Sequence, residues 1–207
     1  MTTTLIIARH GNTFTPTETP RRVGKKTNIP LVEKGRLQAQ RMATYLKDHD
    51  IHPDHIYTST LKRTEEMAII INKTNDWNIH SLPLTFLDEI DYGEDENKTE
   101  AEVINRIGEK ALHQWDNDAT VPEGWNVSPE DIKKDWYNFA EYLVENQEGN
   151  TVMCITSNGI ARFAPHILTS PDTFRATHSI KIKTGALCVF KHNATDGWTC
   201  QSWNERP

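Results

Sequence analysis

Residues 5–13 read Leu-Ile-Ile-Ala-Arg-His-Gly-Asn-Thr, an apolar run cut off by a cation, an imidazole and a glycine. Four consecutive apolar residues leave no polar face. The segment therefore fits a strand covered on both sides, as in a parallel sheet, rather than the alternating pattern of a half-exposed one. Polar residues at the carboxyl end of such a strand stand where open α/β sheets bind their ligands. Gly11 permits a sharp turn and a close approach of backbone, so Arg9 and His10 are expected to project into one crevice beside free backbone N–H groups.

The rest of the chain supplies the crossovers that a parallel sheet needs. A polar loop over about 12–32, too long for a simple connector, precedes a helix from about Glu33 whose apolar face is Ala39, Met42, Ala43 and Leu46. His55–Thr58 reads as a short strand, and Ser59 or Thr60 as the cap of a second helix carrying Leu61, Thr64, Ala68 and Ile71. Ile79 to Leu87 reads as a third strand interrupted by Pro83. Thr99 with Glu102 forms a capping box for a helix bearing Val103, Ile107, Ala111 and Trp115. Ser128-Pro129 opens another, with proline at its first position and a stripe of Ile132, Trp136, Phe139 and Leu143. Thr151–Thr156 is a buried strand; Ser157-Asn158-Gly159 then turns into a short helix, and a hairpin closes the chain around 193–197. That order predicts an α/β fold, a three-layer α/β/α sandwich with a mainly parallel central sheet. One domain over 1–207 is expected. Its least regular stretch, about 88–130, is expected to be an insertion over the active-site edge that covers the substrate.

The net charge of −6 argues against nucleic-acid or membrane-surface partners. No apolar run approaches the ~20 residues of a membrane span. The N-terminus enters its first strand without a basic leader segment. Cys154, Cys188 and Cys200 are odd in number and lack CxxC spacing, which suits buried reduced thiols. A cytoplasmic protein is the expectation. One island runs against the acidic balance: Arg21, Arg22, Lys25 and Lys26 lie within six residues. It reads either as a contact for a second anionic group of a substrate or as a solvated charge run. The Asp48–His55 stretch is rich in Asp and His but lacks metal-ligand spacing, so no metal is expected.

Arg9-His10-Gly11 followed by Asn12-Thr13 resembles the signature of the histidine phosphatase superfamily, also called phosphoglycerate-mutase-like. Four further segments carry the likeness in the same order. Gly24 to Gln40 contains Asn28, Pro30-Leu31, Gly35 and Gln38-Ala39; Ser59-Thr60-Leu61-Lys62-Arg63 is similar to a strand-to-helix segment bearing a phosphate-binding arginine. Leu87 to Glu94 resembles the segment with an acid/base carboxylate, and Cys154 to Gly159 the one with a second histidine. The resemblance implies a cofactor-free phosphohydrolase acting on a small phosphorylated metabolite, the only partner signalled. His10 would be the nucleophile and form a phosphohistidine. Arg9 and Arg63 would grip the phosphoryl oxygens, since a guanidinium holds two oxygens and stays charged. Glu89 would donate and then accept a proton, its pKa raised by the acids around it. Asn12, Arg22, Gly24, Asn158 and Gly159 would complete the substrate contacts.

Asn158 departs from the pattern, because the family normally places a cationic histidine there. Asn keeps an N–H donor without charge, and as an N-cap it has a purely structural reading too. Three functions stay open: a phosphatase of full or reduced activity, a phosphomutase, and a catalytically impaired phospholigand-binding protein. A mutase must guard its phosphoryl group from water, and this chain is short of capping insertions that would do so. That favours hydrolysis. His178 is a candidate to replace the missing imidazole. Trp77, Trp115, Trp125 and Trp136 read as core and lid packing.

Overall fold

The computed structural model describes residues 1–207. Its strands are β1 (Thr3–Arg9), β2 (His55–Thr58), β3 (Ser81–Pro83), β4 (Thr151–Thr156), β5 (Leu187–Asn193) and β6 (Gly197–Glu205). They form one sheet in the order β3-β2-β4-β1-β5-β6. The first four are mutually parallel, and β5 and β6 add an antiparallel edge. The helices are α1 (Glu33–Asp48), α2 (Lys62–Thr74), α3 (Glu100–Asp118), α4 (Pro129–Asn146), α5 (Asn158–Ala161) and α6 (Pro171–Thr177). No helix is long and apolar enough to cross a membrane.

Both faces of β1 are covered, as its unbroken apolar run requires. Leu5 and Ile7 join a core with Trp136, Leu143, Val152 and Cys154, while Ile6 and Ala8 pack with Met42, Leu46, Met67 and Met153. Helices α1 and α2 thus cover one face, α3 and α4 the other, giving the three layers. Each fully buried Leu or Ile of β1 contributes roughly 1.5–3 kcal/mol relative to exposure. The register sets Arg9 opposite Thr156 and Thr58 opposite Ile155. The chain leaving β1, β2 and β4 therefore emerges at one carboxyl edge, where His10, Arg63 and Asn158 lie.

Four local features differ from the sequence reading. Neither Ser59 nor Thr60 caps α2: the cap is Leu61, without a side-chain bond. Both hydroxyls are engaged elsewhere, Ser59 with Thr64 Oγ1 at 2.7 Å and Thr60 with the Asp88 carboxylate at 2.9 Å. The third strand is only Ser81–Pro83, followed by a 3₁₀ turn at Thr85–Leu87. Proline is tolerated there because β3 is the edge of the sheet. Helix α3 is capped by Thr99 and Glu102 as expected but kinks at Gly108 (φ 79°, ψ 156°). Past the kink the phase shifts, so Leu112 is buried and Ala111 only half-buried. Finally, Ser157 is the N-cap of α5, and Asn158 is its first helical residue.

Candidate active site

His10 leaves β1 with its backbone N–H on the Thr156 carbonyl, 3.1 Å away. Its Nδ1 lies 2.8 Å from the Gly11 carbonyl oxygen. A carbonyl only accepts, so Nδ1 carries the proton and Nε2 the lone pair. Arg63 Nε donates to that lone pair across 3.2 Å, in agreement with the assignment. Burial, with Arg63 and Arg9 close by, holds the His10 pKa well below its ordinary value. The imidazole is neutral and poised through Nε2.

The turn after His10 depends on glycine. A Cβ on Gly11 would stand 2.5 Å from the Gly35 carbonyl oxygen in the first turn of α1. That close approach brings Gln38 to the loop: its Oε1 accepts from Asn12 N at 2.8 Å and its Nε2 donates to the Thr184 carbonyl. Thr184 Oγ1 in turn bonds Asn12 Oδ1 at 3.1 Å.

Arg63, in the first turn of α2, is wholly buried and reaches the site through Nε against His10 Nε2, not through the cleft wall. Three carbonyls hold it back, those of Thr27 (3.0 Å), Gly24 (3.3 Å) and Val23 (3.4 Å). Gly24 likewise faces away from the cleft: its carbonyl serves Arg63 and its N–H donates to Glu96 Oε1 at 2.9 Å. Arg9 does line the cleft, with Nη1 on the Ile182 carbonyl and Nε without an acceptor.

Glu89 is buried and also lines the cleft. Its Oε1 accepts from Ile90 N (2.9 Å) and its Oε2 from Gly159 N (3.3 Å). Those bonds and the two arginines favour the charged form, yet burial outweighs them and raises the pKa. The cause is desolvation and not a crowd of acids, as the sequence suggested. Most of the neighbouring carboxylates have structural partners of their own. Asp88 accepts from Thr60 N, Asp91 pairs with Lys26 at 2.8 Å, and Asp95 holds Arg106 and Trp125 Nε1. Gly159 touches no cleft surface but is required by Glu89, since a Cβ there would meet Oε1 at 2.1 Å.

Asn158 lines the cleft, with its Oδ1 accepting from Ile182 N at 2.8 Å, which leaves Nδ2 as its donor. The basic island divides. Arg21 and Arg22 line the cleft, whereas Lys25 and Lys26 border a separate depression. The Arg22 guanidinium lies 5.8 Å from the centre of the Tyr92 ring and 5.7 Å from that of Trp125. The cleft holds about 480 Å³ and is also lined by Tyr92, Trp115, Asp116, Arg162, Lys181 and Thr184. None of these six stood out in the sequence as a site residue. The best signal was Arg162, a lone charge within the apolar Ile160-Ala161-Arg162-Phe163. His178 is off the cleft, stacked on Phe174 at 4.5 Å. Of the Asp48–His55 histidines, His49 stacks on Tyr45 and His52 packs on Trp77.

The sequence model of the histidine phosphatase superfamily (branch 1) matches residues 5–206. The chain belongs to that superfamily. This histidine phosphatase family member is 26% identical over 204 residues to a 2,3-bisphosphoglycerate-dependent phosphoglycerate mutase of Allorhizobium ampelinum, covering 94% of this chain and 92% of the relative. A mutase of the same name from Nocardia farcinica is 30% identical over 132 residues, or 59% of this chain. There the match spans about half of the relative, 49%. In fold, this family member is similar to the mycobacterial glucosyl-3-phosphoglycerate phosphatase, with a TM-score of 0.78, 19% identity and 99% of each chain covered.

Proposed function

We propose that the protein is a phosphomonoester hydrolase working through a phosphohistidine on His10. The observation that carries this reading is the His10 ring, with Nδ1–H on the Gly11 carbonyl and an unprotonated Nε2 beside Arg63 and the cleft. Nε2 attacks phosphorus and the ester P–O bond breaks. The buried Glu89 carboxyl, whose pKa desolvation raises, gives its proton to the departing oxygen. Glu89 then takes a proton from water, whose oxygen attacks the phosphohistidine, breaks the P–N bond and releases inorganic phosphate. Arg9 binds the phosphoryl oxygens from the cleft wall. Arg63 Nε releases the Nε2 lone pair as phosphorus approaches and keeps its positive charge beside the new P–N bond. In this type of transfer, positioning and electrostatic stabilisation supply most of the catalysis. The three unpaired thiols support a reducing, cytosolic setting.

The mycobacterial structural neighbour is a phosphatase, and the sequence relatives are mutases. The product separates the two. The chain is assayed against sugar phosphates, phosphoglycerates and nucleotides, with a parallel alkaline quench to trap label on His10. Hydrolysis requires inorganic phosphate release and an alkali-stable, acid-labile label that His10→Ala abolishes. Phosphoryl migration without net release would show a mutase. Binding without label or release would show a phospholigand sensor.

A further inference from the structure

The guanidinium groups of Arg9, Arg63 and Arg162 are not equally free. Arg63 already donates to His10 Nε2 and to three backbone carbonyls. Arg9 gives Nη1 to the Ile182 carbonyl. Arg162 reaches the cleft from the C-cap of α5. Its guanidinium carbon lies 4.1 Å from the centre of the Trp115 ring, with Nη1 on the Trp115 carbonyl and Nε on the Asn158 carbonyl at 3.3 Å. Nη2 has no acceptor within hydrogen-bonding distance. The one carboxylate within 4 Å is Asp116, whose Oδ1 is 3.9 Å away and whose Oδ2 is held by Lys181 at 2.6 Å.

That arrangement is costly without a ligand. The Arg162 side chain is 1% exposed, and a guanidinium cannot shed its charge. Burying that charge costs solvation, and Arg9 on the same cleft adds like-charge repulsion. An anion between them relieves both costs. Position 158 offers such an anion only a neutral amide, with one end fixed by Ile182 N.

We propose, on the footing of the phosphatase reading above, that Arg162 is a catalytic residue. Its Nη2 contacts the transferring phosphoryl group and supplies the positive charge that the Asn158 amide lacks. Trp115 and Asp116 are positioning residues for it: the indole face sets the plane of the guanidinium, and the carboxylate partly offsets its charge. Helix α3 thereby supports a cation at the C-cap of α5.

The test uses p-nitrophenyl phosphate, whose leaving group carries no second anion. With Arg162→Gln, kcat falls roughly 10²–10³-fold, while Arg162→Lys keeps at least ten times the kcat of the Gln variant. Adding Asn158→His to Arg162→Gln restores kcat at least tenfold, because a cation returns to the phosphoryl group from the neighbouring position. Should Arg162→Gln not fold, inhibition by inorganic phosphate gives a second readout. Asp116→Asn combined with Lys181→Met leaves Arg162 without its counter-charge, and the inhibition constant then falls at least threefold relative to Lys181→Met alone. An Arg162→Gln enzyme within threefold of wild type on this substrate overturns the proposal, even if it fails on substrates bearing a second anion. So does equal loss in the Gln and Lys variants without rescue by Asn158→His, which is what a purely structural arginine gives. An unchanged inhibition constant overturns it as well. A wild-type protein that forms no phosphohistidine refutes the phosphatase reading first, and the role of Arg162 with it; label on His10 with an indifferent Arg162 refutes only the latter.

Discussion

Arg63 Nε points at His10 Nε2 from 3.2 Å, so a permanent cation holds the lone pair assigned to attack phosphorus. A protonated Nε2 would set N–H against N–H, and burial adds to the penalty. The ring therefore stays neutral in acid well past the ordinary histidine value of 6.5.

The pH–rate profile should show this directly. Because the His10 pKa is lowered, kcat/KM should have no acid limb centred near 6.5. The raised Glu89 pKa acts on the other side: activity falls as pH rises through it and the carboxyl loses the proton it donates. A profile rising from pH 5 to 8 with a midpoint near 6.5 would contradict both assignments.

The same shift makes His10 a source of acid sensitivity. Its folded pKa lies below its unfolded one, so its neutral burial contributes fully above about 6.5 and is lost as pH falls toward the folded value. Replacing His10 by Gln removes a titrating group. Between pH 7 and 5 the variant should lose less unfolding free energy than wild type, as read by urea denaturation at each pH. Equal losses would mean that His10 is protonated in the folded chain.

Gly159→Ala probes the acid from its far side. The added methyl would sit 2.1 Å from Glu89 Oε1 and 2.9 Å from Ile90 Cγ1, so the carboxyl must move. Overpacking of this kind costs about 1–3 kcal/mol. A general acid displaced by an ångström loses about 10²-fold in kcat. The loss should be greatest for esters with poor leaving groups and small for p-nitrophenyl phosphate, whose phenolate needs little protonation. An equal loss on both substrates would argue against acid catalysis by Glu89.

The sequence made the sheet centre and the placing of His10 at its carboxyl edge legible because both rest on local pattern. Leu5 to Ala8 announces a strand covered on two faces, and the break at Arg9-His10-Gly11 marks its ligand-facing end. Helix α4 was legible from Pro129 and the Trp136–Leu143 stripe for the same reason. Long-range contacts decided the rest. Nothing near Arg63 in sequence shows that the Val23, Gly24 and Thr27 carbonyls will draw it off the cleft. Glu89 looks like one acid among many until folding gives its neighbours their own partners and leaves it buried. Arg162 gains its meaning from Trp115, 47 residues away along the chain. Gly108 is the intermediate case: a glycine inside a helical pattern signals a weak point, but only coordinates show that it resets the buried face.

Trp125 ties the Arg22 side of the cleft to the packing of residues 88–130. Its Nε1 donates to Asp95 Oδ2 at 2.6 Å, its ring meets Tyr92 edge-on at 4.7 Å, and Arg22 lies over both aromatics. Asp95 is 1% exposed and is also gripped by Arg106 through two nitrogens. Breaking a buried pair strands the partner's charge at a cost of about 3–5 kcal/mol; Arg106 is 28% exposed, so solvent relieves part of it. Asp95→Ala should therefore destabilise the fold by about 2–3 kcal/mol in urea unfolding. With Trp125 released, Arg22 loses the surface that aims it into the cleft, and KM should rise about tenfold. The sign of the pH dependence follows from the lowered Asp95 pKa: its contribution is present above about 3.9 and is lost as pH falls through the folded value. An Asp95→Ala protein with wild-type KM would show that Arg22 is aimed by its own loop, bonded at Arg22 N to the Lys98 carbonyl, and not by the aromatic pair.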